Sequence, residues 1–379
     1  MKIVITGNMG YLGPIVASHI RNAIPDAILI GVDSALFAHC IVGDILPDLS
    51  LDAQIFKDIR DIEADLFEGI DAVIHLAAIS NDPMGTRFEA VTEEINQKAT
   101  LRVAGLAAES HVKHFVFASS CSIYGFADQG ARSEGDSLNP LTAYARSKVG
   151  AEIGLREVSA RTGMTVTALR FATACGFSGR IRLDLVLNDF VASALSTGRI
   201  SVLSDGTPWR PLIHVSDMAR AIEWAISRPV SDDSRFLAVN VGADESNFQV
   251  AELAAAVRAA IPGTEIDINP HAAPDGRSYR VDFALYRSLA PGHQPQVSLA
   301  AAVEDVRDGL KGIGFNDPDY RASDLIRFNV LANALGKGRL LPDLRWAHDK
   351  PRRPVRLPPS LQPALSFNFD FDWVAQDVE

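Results

Sequence analysis

Apolar residues in this chain alternate between short unbroken runs and longer stretches with helical spacing. Ile3, Val4 and Ile5 follow one another within Lys2–Thr6, the pattern of a strand buried on both faces. The run breaks at Gly7. Gly10 and Gly13 follow, and then Leu12, Ile15, Val16 and Ile20 recur at the spacing of an apolar helix face. Further strand-like runs fall at residues 27–32 (AILIGV), 54–57, 71–78 (DAVIHLAA), 114–120 (HFVFASS), 165–171 and 236–241 (FLAVNV). Helical patterns are predicted over 87–110, where Val91, Ile95, Ala99, Val103 and Leu106 form one stripe, and over 142–162, 180–197, 249–260 and 299–311. Shorter extended pieces are expected at 200–203, 211–215, 265–269 and 277–283. Strands alternating with helices in this rhythm predict an α/β fold, a doubly wound parallel (Rossmann) sheet. No internal repeat is visible.

The opening turn has a chemical reading. Glycines here allow a tight turn, close approach to a pyrophosphate and tight packing of helix on strand. The helix start then offers free N–H groups and a favourable dipole to phosphates. Pro14 sits in the first turn, where a missing N–H costs nothing. A steric turn alone would also explain three glycines. Asp33, at the end of the second run, adds the acidic residue that a ribose diol requires about twenty residues on, and its charge repels a 2′-phosphate. NAD is therefore favoured over NADP.

Composition narrows the class. The 379 residues are 47% apolar and 22% charged, ordinary for a globular enzyme large enough for two subdomains. A net charge of -11 without a basic run argues against nucleic acid as a partner. Cys40, Cys121 and Cys175 form no CxxC pair, which suits a reducing compartment. Met1 runs almost directly into the first strand, and no apolar run is long enough to span a membrane. A cytoplasmic protein without membrane association is expected. His111 and His114 lack further ligands nearby, so no metal site is expected.

Two segments carry candidate chemistry. Tyr144 and Lys148 lie four residues apart on the predicted 142–162 helix, so phenol and ammonium share a face. The ammonium stabilises the phenolate and makes tyrosine a usable base near neutral pH. Residues 119–125 (SSCSIYG) close the fifth strand at the carboxyl edge of the sheet, where open α/β sheets bind ligands. A serine there can position a substrate hydroxyl beside Tyr144, or can satisfy local backbone groups.

Together TGNMGYLG, HLAA, SSCSIYG and YARSK resemble the extended short-chain dehydrogenase/reductase family, and more narrowly its NAD-dependent nucleotide-sugar epimerases and dehydratases. The likeness covers residues 1–311 and includes RPLIHVSDMA at 210–219. It implies that Gly7, Asn8, Met9 and Gly10, with Tyr11, Leu12 and Gly13, hold the NAD pyrophosphate, and that Asp33 holds the adenosine ribose. Asp58 and Ile59 would border the adenine. Leu76, Ala77 and Ala78 would line the cofactor, with Asn96 on the helix behind. Ser120 would be the catalytic serine, Tyr144 the base and Lys148 its partner, the last two also touching the cofactor. Ser122, Thr173, Arg210 and Arg277, with Ser120, would contact a nucleotide-diphosphate sugar, and His214 would be structural. The implied organisation is a cofactor domain over 1–175, rejoined by 211–242, a substrate-binding subdomain over 176–210 and 243–313, and an extension over 314–379. A homodimer is implied, with the 87–110 stripe either core or paired with the 142 helix across the interface.

The chain departs from this family's patterns in informative places. Cys121 and Ser122 stand where 4,6-dehydratases carry the Asp-Glu pair that eliminates water. Cys121 is one place off the cysteine of relatives that epimerise through an enol, so its thiol points to the other face and is expected to be packing. Thr173 replaces a phosphate-binding asparagine, and Pro211 an aspartate. The reading that results is an epimerase acting by transient oxidation of a sugar hydroxyl, at C4. The alternatives are a dehydratase or ketoreductase, or a non-catalytic NAD-sensing relative. In the tail, residues 350–363 are rich in Pro and Arg. Phe367, Phe369, Phe371 and Trp373 then alternate with polar residues, as in a strand added to a sheet edge.

Overall fold

The structure, a computed structural model, describes residues 1–44, 46–80, 84, 87–127, 130–230, 235–272 and 278–347. The strands are β1 (Lys2–Thr6), β2 (Ile28–Asp33), β3 (Ala53–Phe56), β4 (Ala72–His75), β5 (His114–Ser120), β6 (Ala131–Arg132), β7 (Thr165–Phe171), β8 (Thr173–Cys175), β9 (Arg199–Val202), β10 (Trp209–His214), β11 (Phe236–Val241), β12 (Asn247–Gln249), β13 (Glu265–Ile268) and β14 (Arg280–Val281). Seven of them make one sheet in the order β11-β7-β5-β4-β1-β2-β3. Every pairing in it is parallel. This is the doubly wound sheet that the unbroken apolar runs predict. β7 is buried along its whole length, which requires its single charge, Arg170, to be paired.

Helices cover both faces. They are α1 (Gly13–Ala23), α2 (Glu89–Glu93), α3 (Thr100–Glu109), α4 (Ala143–Thr162), α5 (Val186–Thr197), α6 (Val215–Ser227), α7 (Val250–Ala260), α8 (Ala284–Leu289), α9 (Leu299–Gly312) and α10 (Arg327–Gly336). The helix expected over 87–110 is divided into α2 and α3 by a π-helical segment, Glu94–Ala99. The break falls where buried Asn96 turns its amide onto the backbone N–H and C=O of Ile79, while Thr100 Oγ1 donates to Asn96 O at 2.8 Å. α4 begins where Thr142 Oγ1 accepts from Ala145 N–H, and it ends at Gly163, whose φ of 75° suits the left-handed cap.

Three expectations need revision. The 180–197 helix exists only from Val186. Before it, Arg180, Arg182 and Asp184 alternate along non-helical chain, and their charges are spent on Asp48, on each other and on Ser80. The return expected from residue 211 begins with α6, which packs on the main sheet beside α1, and is completed by β11. β10 itself joins β8 and β12 in a separate three-stranded sheet. Among the described residues 278–283, only β14 pairs, with β6.

Contacts divide the chain into two compact units, residues 1–330 and 331–379. The first therefore extends well past the 311 or so residues covered by the family likeness. In the second, Leu340 and Trp346 form an antiparallel bridge. The tail residues 350–363 and the aromatic alternation at Phe367–Trp373 lie outside the described residues, as does Arg277.

Candidate active site

A cleft of about 1030 Å³ runs along the carboxyl edge of the central sheet. The turn after β1 forms one end of it. Gly7 has φ +73°, and a Cβ there would lie 2.5 Å from Ala77 N. At Gly13 a Cβ would meet Asn8 O at 2.0 Å, so α1 seats on the turn only because the side chain is missing. Gly7, Gly10, Tyr11 and Leu12 line the cleft. Asn8, Met9 and Gly13 build the turn from behind. Asn8 Nδ2 donates to Gln54 Oε1 at 2.6 Å, and Met9 N–H donates to Asp33 Oδ2 at 3.0 Å. Tyr11 donates its hydroxyl to Gly176 O at 2.6 Å, tying the turn to the opposite wall.

Asp33 faces the cleft at the end of β2 and also accepts from Ala35 N–H at 2.8 Å. Burial pushes its carboxyl up to about 6, against the pull of those two backbone N–H groups. Asp58 and Ile59 line the same end, with Asp58 forked onto Arg60. Leu76, Ala77 and Ala78 form the adjoining wall. Asn96 does not reach the cleft. It is fully buried and braces this wall through Ile79.

Tyr144 and Lys148 project from one face of α4 into the middle of the cleft, as their spacing predicts. Lys148 Nζ lies 5.6 Å from the Tyr144 ring centroid and 4.5 Å from that of Phe117, and donates to Ala118 O at 2.7 Å. Burial brings the ammonium down to about 7, while Glu152 one turn on opposes the fall. Glu152 is held in turn by Ser119 Oγ and by a buried fork from Arg170. Nearby His75 is pushed down to about 3 by burial, and so stays neutral between Thr6 and Thr100.

Ser120 and Ser122 line the cleft at the end of β5. Ser120 Oγ accepts from Ser122 N–H at 3.1 Å, which leaves its own proton to donate. Ser122 Oγ is buried without a hydrogen-bond partner among the described residues. Cys121 points the other way: it is fully buried, its thiol bonds Arg170 O, and burial raises it far above the ordinary thiol range. Thr173 and Arg210 also line the cleft, the latter donating to Trp209 O. His214 caps α6 and contacts Asp305, a structural role.

Sequence reasoning missed three arginines that line this cleft. Arg182 is paired with Asp184, Arg321 with Asp189, and Arg327 donates to the carbonyls of Arg180 and Ile181. Two of them, Arg321 and Arg327, come from beyond residue 311, where the family likeness ends. The odd placement of charge in RIRLD at 180–184 was the available signal for Arg182. Among the described residues no cluster of His, Cys, Asp or Glu could hold a metal, and no helix is long and apolar enough to cross a membrane.

A parallel sheet opening on a glycine turn, with a Tyr/Lys pair over its carboxyl edge, defines the extended short-chain dehydrogenases/reductases, and this chain is one of them. Within that class it belongs to the NAD dependent epimerase/dehydratase family, whose model matches residues 3–242. Its cofactor is thus NAD, and its chemistry is of the epimerase/dehydratase type. The cleft fits that cofactor: Gly7 and Gly10 line one end of it without side chains, and the Asp33 carboxyl, a hydrogen-bond acceptor when ionised, faces the same end. Among curated proteins, the chain is 28% identical over 237 residues to the Bacillus subtilis (strain 168) protein described as the uncharacterized UDP-glucose epimerase YtcB, covering 60% of this chain and 73% of that one. Among solved structures it is similar to MoeE5 in complex with UDP-glucuronic acid and NAD, with 27% identity, TM-score 0.70 and coverage of 82% and 99%. The fold is shared with TunA, an NAD-dependent NDP-hexosamine 5,6-dehydratase, with TM-score 0.72, 21% identity and coverage of 84% and 99%.

Proposed function

We propose that this protein is a nucleotide-sugar epimerase that oxidises a sugar hydroxyl, at C4, and reduces the ketone again from the opposite face. The observation that carries the reading is the Tyr144–Lys148 pair aimed into a cleft that has Asp33 and the glycine turn at one end and Thr173 and Arg210 at the other. Tyr144 accepts the hydroxyl proton as the C–H bond breaks and returns it in the second half of the reaction. Lys148 steadies the phenolate, and its position against Ala118 O keeps the ammonium within reach of the ring. Ser120 donates to the same sugar oxygen. NAD, when bound at the glycine turn, would supply the hydride acceptor and donor for the two halves of the reaction.

Elimination of water is disfavoured because Cys121 is sealed in the core and no acid stands beside it in the 121–122 positions. The name of YtcB and the ligands of MoeE5 support a uridine-diphosphate sugar as the substrate. We further infer a homodimer, supported by Ile153, which leaves a large apolar side chain 58% exposed on α4. A reducing, cytoplasmic setting is supported by three unpaired, buried cysteines.

The test uses purified protein and a panel of nucleotide sugars, with products resolved by NMR. Epimer formation without solvent deuterium at the reacting carbon is the expected result. Tyr144→Phe should lower turnover roughly 10²–10⁴-fold. Substantial turnover retained by that variant would remove the phenol from the mechanism. Solvent deuterium in the product would replace direct hydride return with an enol route.

A further inference from the structure

The cleft contains an ion pair that this mechanism leaves unused. Arg182 is only 7% exposed and shares the cleft wall with Asp184, Ser80 and Tyr144. Its Nε donates to Asp184 Oδ1 at 3.0 Å and its Nη2 to Asp184 Oδ2 at 2.7 Å, while Nη1 donates to Ser80 Oγ at 2.9 Å. Ser80 closes the segment after β4 that forms the cofactor wall, so this guanidinium spans from the cofactor side to the substrate side. A guanidinium carries five N–H donors. One on each Nη is therefore left without a partner among the described residues. Buried donors of a charged group are costly to leave unmade, so the site is built to be completed by a ligand. Arg182 is also near enough to Tyr144 to interact with the phenol electrostatically. Whatever completes it sits against the reacting hydroxyl.

We propose that Arg182 and Asp184 together read the hydroxyls of an uncharged hexose ring, and so select neutral nucleotide hexoses over nucleotide hexuronates. The inference rests on the nucleotide-sugar reading above and adds the substrate class. Arginine can only donate and an ionised carboxylate can only accept, whereas a sugar hydroxyl does both. A pair of ring hydroxyls can thus accept from Arg182 and donate to Asp184. The fork onto Asp184 already neutralises the guanidinium. A hexuronate carboxylate brought to this place would gain Arg182 but face the Asp184 charge across the same fork, in a partly dry cleft where like charges repel strongly. The hydroxymethyl group of a neutral hexose meets no such opposition.

UDP-glucose and UDP-glucuronic acid form the matched probe, since they differ only at C6. With the NAD-loaded protein, kcat/KM for UDP-glucose should exceed that for UDP-glucuronic acid by about tenfold or more. Asp184→Asn should move the ratio toward the uronate by about tenfold, and Asp184→Glu, which keeps the charge, should restore the preference. Arg182→Gln should lower turnover of UDP-glucose while NAD stays bound, as read by cofactor absorbance and thermal melting. A wild-type preference for UDP-glucuronic acid overturns the inference and leaves the epimerase reading standing. So does an unchanged ratio in an Asp184→Asn variant that melts like the wild type. Turnover of neither sugar, nor of any other nucleotide sugar, overturns both.

Discussion

Lys148 shows how one side chain sets opposite demands on stability and on chemistry. Burial depresses its ammonium to about 7, from an ordinary value of 10.5. Between those two pH values the unfolded chain holds the proton and the fold does not, so this group makes stability rise with pH across that window. Over the same window the charge proposed to steady Tyr144 disappears. The expected outcome is a decline of kcat/KM above about pH 7 in the pH profile, and Glu152→Gln should shift the decline to lower pH, because Glu152 is what supports the charge. Asp33 works in the other direction. Its carboxyl is raised to about 6, so between 3.8 and about 6 the fold binds a proton that the unfolded chain releases, and this group makes stability fall as pH rises. In the ribose-binding role proposed for it, only the ionised form would accept from both hydroxyls. Affinity for NAD, measured by titration calorimetry, should therefore weaken as pH drops through about 6, and Asp33→Asn should narrow the preference for NAD over NADP.

At the level of elements, α4 and β5 have to hold Tyr144, Lys148 and Ser120 in one register. The Glu152–Arg170 pair does this from below, with both side chains buried and joined at 2.7 Å, and with Ser119 donating to Glu152 beside Ser120. Glu152→Ala would leave Arg170 buried and unpaired, at a cost of roughly 3–5 kcal/mol, visible as a lower urea midpoint. The turn after β1 is equally intolerant. Gly13→Ala places a methyl carbon inside the van der Waals radius of Asn8 O, and the backbone shift that relieves it should abolish NAD binding even where the protein still folds. The strands at 114–120, 165–171 and 236–241 were legible at their observed bounds, because a parallel strand covered by helices on both faces advertises itself as a largely apolar run. The first half of the 180–197 helix was not. There the chain runs non-helical, with Arg180 and Arg182 reaching Asp48 and Ser80, more than a hundred positions away in sequence.

On the scale of the whole molecule, the cleft joins pieces from residue 7 to residue 327, and the end at the glycine turn is contributed by the first 80 residues. Ligand that binds only the fold should raise stability by about 2.7 kcal/mol at a hundredfold excess over its dissociation constant. NAD should accordingly raise the melting temperature, and NADP should do so much less. The glycine turn, Asp33, the strand-end serines and the Tyr/Lys spacing were readable in advance because each depends on neighbours within a few residues, or on the fixed periods of strand and helix. Periodicity cannot say which distant segments meet. That Arg182 would close on Ser80, 102 positions away, that β10 would leave the main sheet, and that residues beyond 313 would furnish a wall of the cleft were decided by tertiary packing, where burying a charge forces it to find a partner wherever the fold brings one.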